Sequence, residues 1–402
     1  METLRILAFV AAVGACLSGS PAPAQTRFTT LYSTATDAIG ALASPGGVIY
    51  AGFDGPTPTG SNCGGVLELQ PPTVIGGAWS ETVLYTFAEA NDACDPSWGP
   101  VVGAGGVLYG STSEGGAYGG GTFYELQPPA SPGETWTESV LYSFGAPGVY
   151  FGAPTSEVIP GPSGSYYFLT GGYSDGALVQ MRPPAEPGGV WTATLLYSFT
   201  EDDGWRGLAA GPHGVLYGTA PYGGTAPGQL GEVFQLTPPA AAGGAWTETV
   251  IHNFGYGGAY AGNPNSLTVA SDGTIYGTTY GYDLIGDRGM GSVFELTPPA
   301  SPDGRWSYTV LQDFGGYHPS PGLILRDGNL YGAVATALQA GNIFEMQPPS
   351  TPGDAWTTTY LHQFTDLVPY VDLMDKNGAL YGVALTETGE PSLHTIFQLA
   401  TK

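Results

Sequence analysis

Histidines and carboxylates carry most acid-base and metal chemistry, and this chain spaces neither in a recognisable pattern. Its histidines are scattered singly along 402 residues, at His213, His252, His318, His362 and His394. No two of them show the spacing of a metal site or a catalytic triad, and no G-x-S-x-G, H-E-x-x-H or P-loop string is present. We therefore predict ordinary, unconnected histidines, no catalytic residue that can be named, and no metal or cofactor.

Acidic residues cluster at three places, which are Glu201-Asp202-Asp203, Asp92 with Asp95, and Asp283 with Asp287. Calcium needs six to eight oxygen ligands, and none of these clusters shows the D-x-[DN]-x-[DN]-G loop. The simplest interpretation is solvated surface carboxylates. A carboxylate pair for glycoside hydrolysis could still be assembled from distant parts of the chain.

One sequence unit recurs along the whole chain, so the fold that it forms must hold any functional side chains in place. A Leu-Tyr-Gly-like run appears seven times, and its tyrosines are 59, 58, 50, 59, 55 and 50 residues apart, at Tyr50, Tyr109, Tyr167, Tyr217, Tyr276, Tyr331 and Tyr381. Six copies continue into a Pro-Pro pair and then a tryptophan, at Trp79, Trp136, Trp191, Trp246, Trp306 and Trp356. A fixed period of this length indicates a propeller, solenoid or array.

Each unit contains four short strand candidates. Asp-Gly or Asn-Gly pairs, as at Asp327-Gly328, predict a hairpin between the first and second strands. The third strand alternates in polarity and ends at the Pro-Pro pair, since proline cannot donate to a ladder. The fourth begins at the tryptophan. Seven such units predict an all-β fold, a seven-bladed β-propeller of four-stranded antiparallel blades.

The two ends of the chain are complementary fragments of one unit. The chain ends on a third strand at residues 395–399, and residues 29–33 match a fourth strand. We therefore expect residues 27–34 to complete the last blade beside Phe397 and so close the ring. A linear solenoid is the alternative, but it would require capping repeats at both ends.

A propeller of this kind has two unlike faces. The hairpin turns and Pro-Pro loops share one face (the Pro-Pro face), and they are uniform in sequence. The loops between second and third strands and between blades share the other (the variable-loop face). They carry the aromatic residues Trp98, Tyr118, Tyr150, Phe151, Tyr173, Trp205, Tyr222, Tyr256, Tyr260, Tyr280, Tyr282, Tyr317 and Tyr370. Variable loops on a repeating scaffold are where function usually resides.

Trp98 and Trp205 are the leading candidate ligand contacts on this face, because they lie outside the tryptophan position that the repeat shares. Asp95 stands near the first, and Asp202 and Asp203 near the second. Their carboxylates could accept hydrogen bonds from sugar hydroxyls while an indole stacks on the ring. Tyr256 and Tyr260 are further candidates. The alternative is that each tryptophan only packs its loop against its own blade.

Composition excludes some partners. The net charge is −25, with only nine Lys and Arg residues. A nucleic-acid-binding protein needs a basic footprint, and an anionic membrane surface attracts basic segments. We therefore exclude nucleic acid and disfavour a membrane surface, and we expect a monomer.

The first 24 residues read as a signal peptide, with Arg5 before an apolar run and Ala22-Pro23-Ala24 before the cleavage point. The run is too short to span a membrane, so the mature chain has no predicted transmembrane segment. A lipid anchor at Cys16 is the alternative processing. Both predict a secreted, periplasmic or cell-surface protein with one domain at residues 25–402. In an oxidising compartment Cys63 and Cys94 can form a disulfide, and both fall in loops that we assign to the variable-loop face.

The recurring pattern LYG-[ST]-T-x-x-GG, then G-T-x-[FY]-x-L-x-P and T-V-L-Y-[ST]-F, resembles the GloVer tandem repeats of secreted bacterial proteins. It is clearest in residues 108–126, 216–236 and 275–296, while the third copy, at residues 166–172, lacks the Tyr-Gly pair. The resemblance covers nearly all of the mature chain. It implies a location outside the cytoplasm and transfers no catalytic motif.

Two functions follow from this sequence. The first is a binding or scaffold protein whose variable-loop face engages a glycan or a surface protein. The second is an extracellular hydrolase or lyase that acts on a polysaccharide at the same face. The missing catalytic constellation favours the first, since fold alone does not imply activity.

Overall fold

The chain folds into seven antiparallel sheets, as a computed structural model shows. The structure describes residues 27–34, 37–43, 48–55, 63–71, 79–88, 92–96, 98–131, 133–147, 152–171, 176–186, 188–199, 207–222, 224–226, 228–241, 243–255, 262–281, 291–301, 304–315, 317–336, 340–351, 353–365, 367–369, 373–376, 378–385 and 394–400. The predicted signal peptide lies outside these residues. Each sheet is one blade, and the blades are arranged as a β-propeller, which confirms the predicted fold.

The first four blades follow one another along the chain. Blade 1 contains Asp37–Ala43, Ile49–Asp54, Gly65–Gln70 and Ser80–Thr86. Blade 2 contains Ala93–Pro96, Val101–Val102, Leu108–Gly115, Thr122–Gln127 and Thr137–Ser143. Blade 3 contains Ala153–Pro154, Ile159–Pro160, Tyr166–Gly171, Ala177–Arg182 and Thr192–Ser198. Blade 4 contains Leu208–Ala210, Leu216–Ala220, Glu232–Thr237 and Thr247–Asn253.

The last three blades repeat this order, and the seventh borrows a strand from the start of the chain. Blade 5 contains Pro264–Val269, Ile275–Thr279, Ser292–Thr297 and Ser307–Asp313. Blade 6 contains His318–Pro319, Ile324–Arg326, Asn329–Thr336, Ala340–Gln347 and Thr357–Gln363. Blade 7 contains Val368–Pro369, Met374–Lys376, Ala379–Leu385, His394–Ala400 and Arg27–Thr34.

The N-terminal strand closes the ring as predicted. Arg27–Thr34 pairs antiparallel with His394–Ala400, with Thr30 opposite Phe397. The Phe28 ring lies 5.4 Å from the Phe397 ring and stacks at 4.0 Å on His362 of blade 6. Both ends of the chain are therefore needed to complete blade 7.

The first strand of a blade is less regular than the sequence suggests. In blades 2, 3, 6 and 7 it is divided into two short pieces that pair with the same second strand. The first piece of each carries a buried proline, Pro96, Pro154, Pro319 or Pro369. Proline lacks the N–H needed for continuous pairing, which is consistent with the break that follows.

The hairpin turns between first and second strands use positive φ, as their glycines predict. Asp327 and Gly328 both have positive φ in blade 6. Blades 2 to 4 instead make a short 3-10 turn, at Ala104–Gly106, Pro162–Gly164 and Pro212–Gly214, and each turn also contains two successive positive-φ residues. These turns belong to the Pro-Pro face.

The recurring tyrosine and tryptophan form the seam between adjacent blades. In six seams the tyrosine ring of one blade lies 5.6 to 6.4 Å from the tryptophan ring of the next. The tyrosine faces a Glu or Gln across its own sheet, as Tyr331 donates to Glu345 at 2.8 Å. The one recurring tyrosine without a tryptophan partner, Tyr331, instead has the guanidinium of Arg326 at 4.4 Å from its ring centre. Arg326 also bridges to Asp375 of blade 7 at 2.8 Å.

Candidate functional site

Exposed tyrosines mark the variable-loop face. Four described tyrosines in its loops are 43 to 57% exposed, namely Tyr118, Tyr222, Tyr280 and Tyr317. One other described tyrosine is comparably exposed, Tyr360, and it lies on the outer strand of blade 6. The recurring Pro-Pro-face tryptophans are half-buried in the seams. Among the described residues, exposed tyrosines are thus concentrated on the variable-loop face.

The best-defined group on this face lies where blade 5 meets blade 6. The His318 ring stacks on the Tyr280 ring with centres 4.1 Å apart and planes 6° from parallel. His318 Nδ1 lies 2.6 Å from the Tyr280 carbonyl oxygen. Because a carbonyl only accepts, Nδ1 carries the proton, and in the neutral ring Nε2 is the basic nitrogen.

Tyr317 extends this group through the backbone. It precedes His318 directly, and its N–H donates to the Phe314 carbonyl at 3.3 Å, which closes the turn after the fourth strand of blade 5. Pro319 is buried and anchors the short strand that begins at His318. We call Tyr280, Tyr317 and His318 the aromatic platform. Both tyrosines are among the thirteen aromatic residues predicted on this face. His318 has no signal in the sequence, because its partner is 38 residues away in another blade.

Trp98 occupies a different place from the predicted blade-to-blade loop. It lies in the break between Ala93–Pro96 and Val101–Val102, the two pieces of the first strand of blade 2, and it is half-buried. Asp95 lies in the first piece, where its Oδ2 accepts a 2.7 Å hydrogen bond from Ser113. The innermost strand of a blade borders the propeller axis, so Trp98 stays a candidate contact near the axis.

The predicted disulfide between Cys63 and Cys94 is present and joins blade 1 to blade 2, with the two Cα atoms 4.4 Å apart. Cys63 precedes the third strand of blade 1, as expected. Cys94 was predicted in a loop but lies within Ala93–Pro96, because the first strand of blade 2 begins earlier than its apolar residues indicate. The backbone reinforces the link, since the Asp95 N–H donates to the Cys63 carbonyl at 3.1 Å.

Five predicted contacts, Trp205, Asp202, Asp203, Tyr256 and Tyr260, lie outside the described residues. Their participation stays a prediction. Within the described part of the chain, no three His, Cys, Asp or Glu side chains are grouped so as to hold a metal ion. No helix there is long and apolar enough to cross a bilayer.

The most perturbed carboxyl group lies in a seam rather than on the aromatic platform. Burial, reinforced by neighbouring Asp92, raises the pKa of Glu138 to about 8. Tyr85 lies 3.5 Å from Asp92, and burial together with these carboxylates raises its pKa to about 12. Burial also raises the pKa of Tyr124, whose hydroxyl is enclosed between blades 1 and 2. Tyr85 and Glu138 lie on the outer strands of blades 1 and 2, so this cluster belongs to the seam between those blades and not to the aromatic platform.

Solved structures of similar shape are propeller enzymes of low sequence identity. A catalytically inactive variant of virginiamycin B lyase from Staphylococcus aureus, with quinupristin, is 12% identical with a TM-score of 0.54, and the match covers 94% of this chain and 99% of that one. An ulvan lyase of a new polysaccharide lyase family is 9% identical with a TM-score of 0.60, covering 92% and 95%. None of the curated proteins matches. At these identities the likeness shows the fold alone.

The chain also matches a known family of repeat proteins. Residues 154–397 match the Gloeobacter/Verrucomicrobia repeat family, which spans blades 3 to 7 and more than half of the chain. This match confirms the resemblance seen in the recurring Leu-Tyr-Gly and Pro-Pro pattern. The chain therefore belongs to the Gloeobacter/Verrucomicrobia repeat family, here folded as a seven-bladed β-propeller.

Proposed function

We propose that this protein is a secreted or cell-surface propeller that binds a glycan through its variable-loop face. The observation that carries the proposal is the aromatic platform, where exposed Tyr280 stacks on His318 and exposed Tyr317 directly precedes that histidine in the chain. Monomeric proteins rarely leave aromatic groups together in water without a use.

The platform has the chemistry that sugar recognition needs. A pyranose presents an apolar C–H face and a rim of hydroxyls, so it stacks on an aromatic ring while polar groups bind its edge. Tyr280 and Tyr317 provide ring faces and phenolic hydroxyls, and the second ring nitrogen of His318, Nε2, is available for one hydrogen bond. Trp98 with Asp95 would form a second contact nearer the axis.

Export remains part of the proposal. The segment at residues 1–24 has the order of a signal peptide, with lipidation at Cys16 as the alternative. The Cys63–Cys94 disulfide supports an oxidising location, since such bonds are rare in the cytosol.

The test is a polysaccharide and glycan screen on the mature chain, followed by Tyr280→Ala and Tyr317→Ala. We expect each substitution to weaken binding about tenfold or more, as loss of a buried stacking contact of roughly 1–2 kcal/mol would. Tyr360→Ala is the matched control, because Tyr360 is equally exposed but on the outer strand of blade 6. Equal binding by all three variants would refute the platform as the site.

A polysaccharide lyase is the second candidate, favoured by the same pair of residues. His318 Nε2 is a possible base and the Tyr280 phenol a possible proton donor, the two groups that an elimination requires. The ulvan lyases match this fold, and one is described as bound to a fragment of glucuronic acid and sulfated rhamnose. Incubation with uronate polysaccharides, monitored by the ultraviolet absorbance of an unsaturated product, tests this activity. If the protein only binds glycans, no product should form. If product does form, its loss in His318→Ala would instead establish the lyase.

A further inference from the structure

A cavity of about 310 Å³ lies at the Pro-Pro end of the seam between blades 3 and 4. The tyrosine and tryptophan of that seam, Tyr167 and Trp246, both line it, with ring centres 6.1 Å apart. The hairpin turns of the two blades and Pro238 line the rest, and the described lining residues include no charged side chain. Because small-molecule sites are usually preformed, mostly apolar cavities of this size or larger, this cavity is a candidate for a second ligand.

The cavity coincides with a small residue just before the hairpin turn of blade 4. In three other seams the residue that pairs with the start of the Leu-Tyr-Gly run is branched, namely Val102, Val269 and Leu325. Each of these side chains is half-buried and packs in the same core cluster as the tyrosine and tryptophan of its seam. In blade 4 this residue is Ala210, which is exposed and lines the cavity. Blade 4 therefore leaves open a space that other blades fill.

The preceding seam, between blades 2 and 3, shows which chemical group fits such a space. Blade 3 has Tyr166 at the position where blade 4 has Leu216. The Tyr166 ring packs against both aromatic residues of its seam, 4.8 Å from the Tyr109 ring and 6.1 Å from the Trp191 ring. Its hydroxyl lies beside the hairpin turn of blade 2, since a Cβ placed on Gly103 would be 3.1 Å from it. In this seam a third aromatic ring therefore packs beside the tyrosine and the tryptophan.

The same surroundings recur at the cavity without the third ring. Gly161 lines the cavity and corresponds to Gly103, because a Cβ on either glycine would meet the tyrosine ring of its own blade, at 2.5 and 2.6 Å. Leu216 has no ring to place against the seam tyrosine and tryptophan. Gln180 Nε2 donates to the Tyr167 hydroxyl at 3.1 Å, which fixes that ring in the cavity wall. The site is thus preformed for a ring that the chain itself does not supply.

We propose that this cavity binds a small uncharged aromatic molecule of the phenol class, which takes the place that Tyr166 has in the preceding seam. Edge-to-face and offset contacts with the Tyr167 and Trp246 rings favour an aromatic ring over an aliphatic one. A charged ring is disfavoured, because none of the described lining residues is charged and a buried unpaired charge is costly. A cavity of roughly 150 Å³ is enough for benzene, so a substituted ring fits here. The site is independent of the glycan site proposed on the variable-loop face.

The test is a titration of the mature chain with 4-methylphenol, the tyrosine side chain as a free molecule, followed by ligand-detected NMR. A dissociation constant on the order of 1 mM is expected for a ligand of this size. Two molecules of similar shape serve as controls, 4-methylcyclohexanol without the aromatic ring and 4-methylbenzoate with a charge. Each should bind about tenfold more weakly. Equal binding of the cyclohexanol would show only the filling of an apolar space, and equal binding of the benzoate would show no selection against charge; either result would overturn the proposal.

Two variants locate the bound molecule. Ala210→Val gives blade 4 the branched residue of other blades, and Leu216→Tyr supplies the third ring as in blade 3. Both should keep the Tm of the natural chain, because the fold already accepts these side chains at equivalent positions. The first should weaken binding of 4-methylphenol about tenfold, and the second should abolish it.

Tyr280→Ala is the control for binding on the aromatic platform, and it should leave the affinity for 4-methylphenol unchanged. Unchanged affinity in both cavity variants, or loss of binding in Tyr280→Ala, would place the molecule elsewhere and overturn the proposal. No binding of 4-methylphenol to the natural chain would also overturn it. None of these results bears on glycan binding, which the polysaccharide screen tests separately.

Discussion

Tyr197 of blade 3 donates a 2.8 Å hydrogen bond to Glu248 of blade 4. Both residues are on the outermost strands of their blades, at a position that recurs around the ring with different chemistry. The next seam stacks His252 on Tyr308 with ring centres 4.0 Å apart. In the seam between blades 5 and 6, the Thr358 hydroxyl donates to the Gln312 side chain at 2.7 Å. In the seam between blades 6 and 7, the Phe28 ring stacks on His362. Neighbouring blades are thus joined pairwise at their outer edges as well as through the tyrosine–tryptophan contacts.

The Tyr197–Glu248 bond should be measurable as a coupling energy. Burial raises the pKa of Glu248, and the Tyr197 hydroxyl opposes that rise by stabilising the carboxylate. A double-mutant cycle with Tyr197→Phe and Glu248→Ala, followed by urea unfolding at neutral pH, should give about 1–2 kcal/mol of coupling, reduced from a fully buried value by partial exposure. Additive effects of the two substitutions would show that the bond contributes nothing.

The buried Glu138 carboxyl group should make the stability of the folded state depend on pH in an unusual way. Its folded pKa of about 8 exceeds the ordinary value of 4.5, so proton binding favours the folded state below pH 4.5. That contribution is lost progressively as the pH rises through 8. Glu138→Gln keeps a neutral side chain at every pH. We therefore expect the variant to be more stable than the natural chain near pH 8 and similar to it near pH 4.5.

Thermal unfolding across this pH range measures the difference. Glu186→Gln is the control, because Glu186 is an exposed carboxylate on the Pro-Pro face. It should unfold like the natural chain at both ends of the range. A Glu138→Gln variant that is less stable than the natural chain at pH 8 would mean that the carboxylate is charged and satisfied in the seam.

The sequence predicts the ring better than it predicts the contacts that hold the ring together. The seven-against-six count of tyrosines and tryptophans correctly implies closure by residues 27–34, since each strand type has a recognisable pattern. The same count does not reveal that Arg326 takes the place of the missing tryptophan beside Tyr331. That contact depends on Asp375, which lies across the seam in blade 7. Recurrence identifies a position in the blade, whereas the partner of that position lies in the next blade and leaves no local signal.

The candidate site was harder to predict for the same reason. A tryptophan outside the repeat is conspicuous in a sequence, which is why Trp98 and Trp205 are the leading predicted contacts. The Tyr280–His318 stack joins a second-strand end to the start of the next blade, and an exposed tyrosine is not conspicuous among 25 tyrosines. The exposure of Tyr280 and Tyr317 is a tertiary property that no local pattern encodes.

Removing the N-terminal strand should open the ring. Deletion of residues 25–34 leaves His394–Ala400 paired on one side only, with Ala379–Leu385, and removes Phe28 from the His362, Phe364 and Phe397 rings. An exposed edge strand and lost burial should lower the free energy of unfolding by several kcal/mol. Calorimetry should show a clearly lower Tm. Phe28→Ala keeps the strand and loses only the packing of the Phe28 ring. Its Tm should therefore lie between those of the natural chain and the deletion variant. An unchanged Tm after deletion would contradict closure by this strand.

Loss of the disulfide should weaken the first seam without dissolving it. The bridge encloses a loop with a sequence separation of 31, which corresponds to about 3–4 kcal/mol in the chain-entropy account. Cys63→Ser with Cys94→Ser should lower stability by roughly that amount. The fold should persist, because the seam between blades 4 and 5 keeps the equivalent backbone bond, from the Asn263 N–H to the Leu230 carbonyl at 2.7 Å, with Gly262 in the place of Cys94 and therefore no bridge. Mass spectrometry of unreduced peptides must show the bridge in the natural chain, and two alkylated thiols would exclude it.

The glycine of the Leu-Tyr-Gly run is required by the aromatic residue opposite it on the third strand. A Cβ placed on Gly277 would lie 2.3 Å from the Phe294 ring, and Gly218, Gly332 and Gly382 meet Phe234, Phe344 and Phe397 in the same way. Blade 1 has alanine instead, and there Ala51 faces Leu67. Blade 3 has Phe168 facing Val179, which explains why its repeat lacks the glycine. The two positions compensate for each other in volume.

Gly277→Ala should therefore cost about 1–3 kcal/mol by overpacking, since Gly277 is outside the positive-φ region and the added methyl group meets a buried ring. Phe294→Leu should also destabilise, because it leaves a cavity. The double variant recreates the Ala51–Leu67 combination of blade 1, so it should be more stable than the sum of the single effects by about 1 kcal/mol. Urea unfolding of the four proteins measures this coupling. Additive losses would show that the Phe294 ring is not the reason why the repeat has a glycine at position 277.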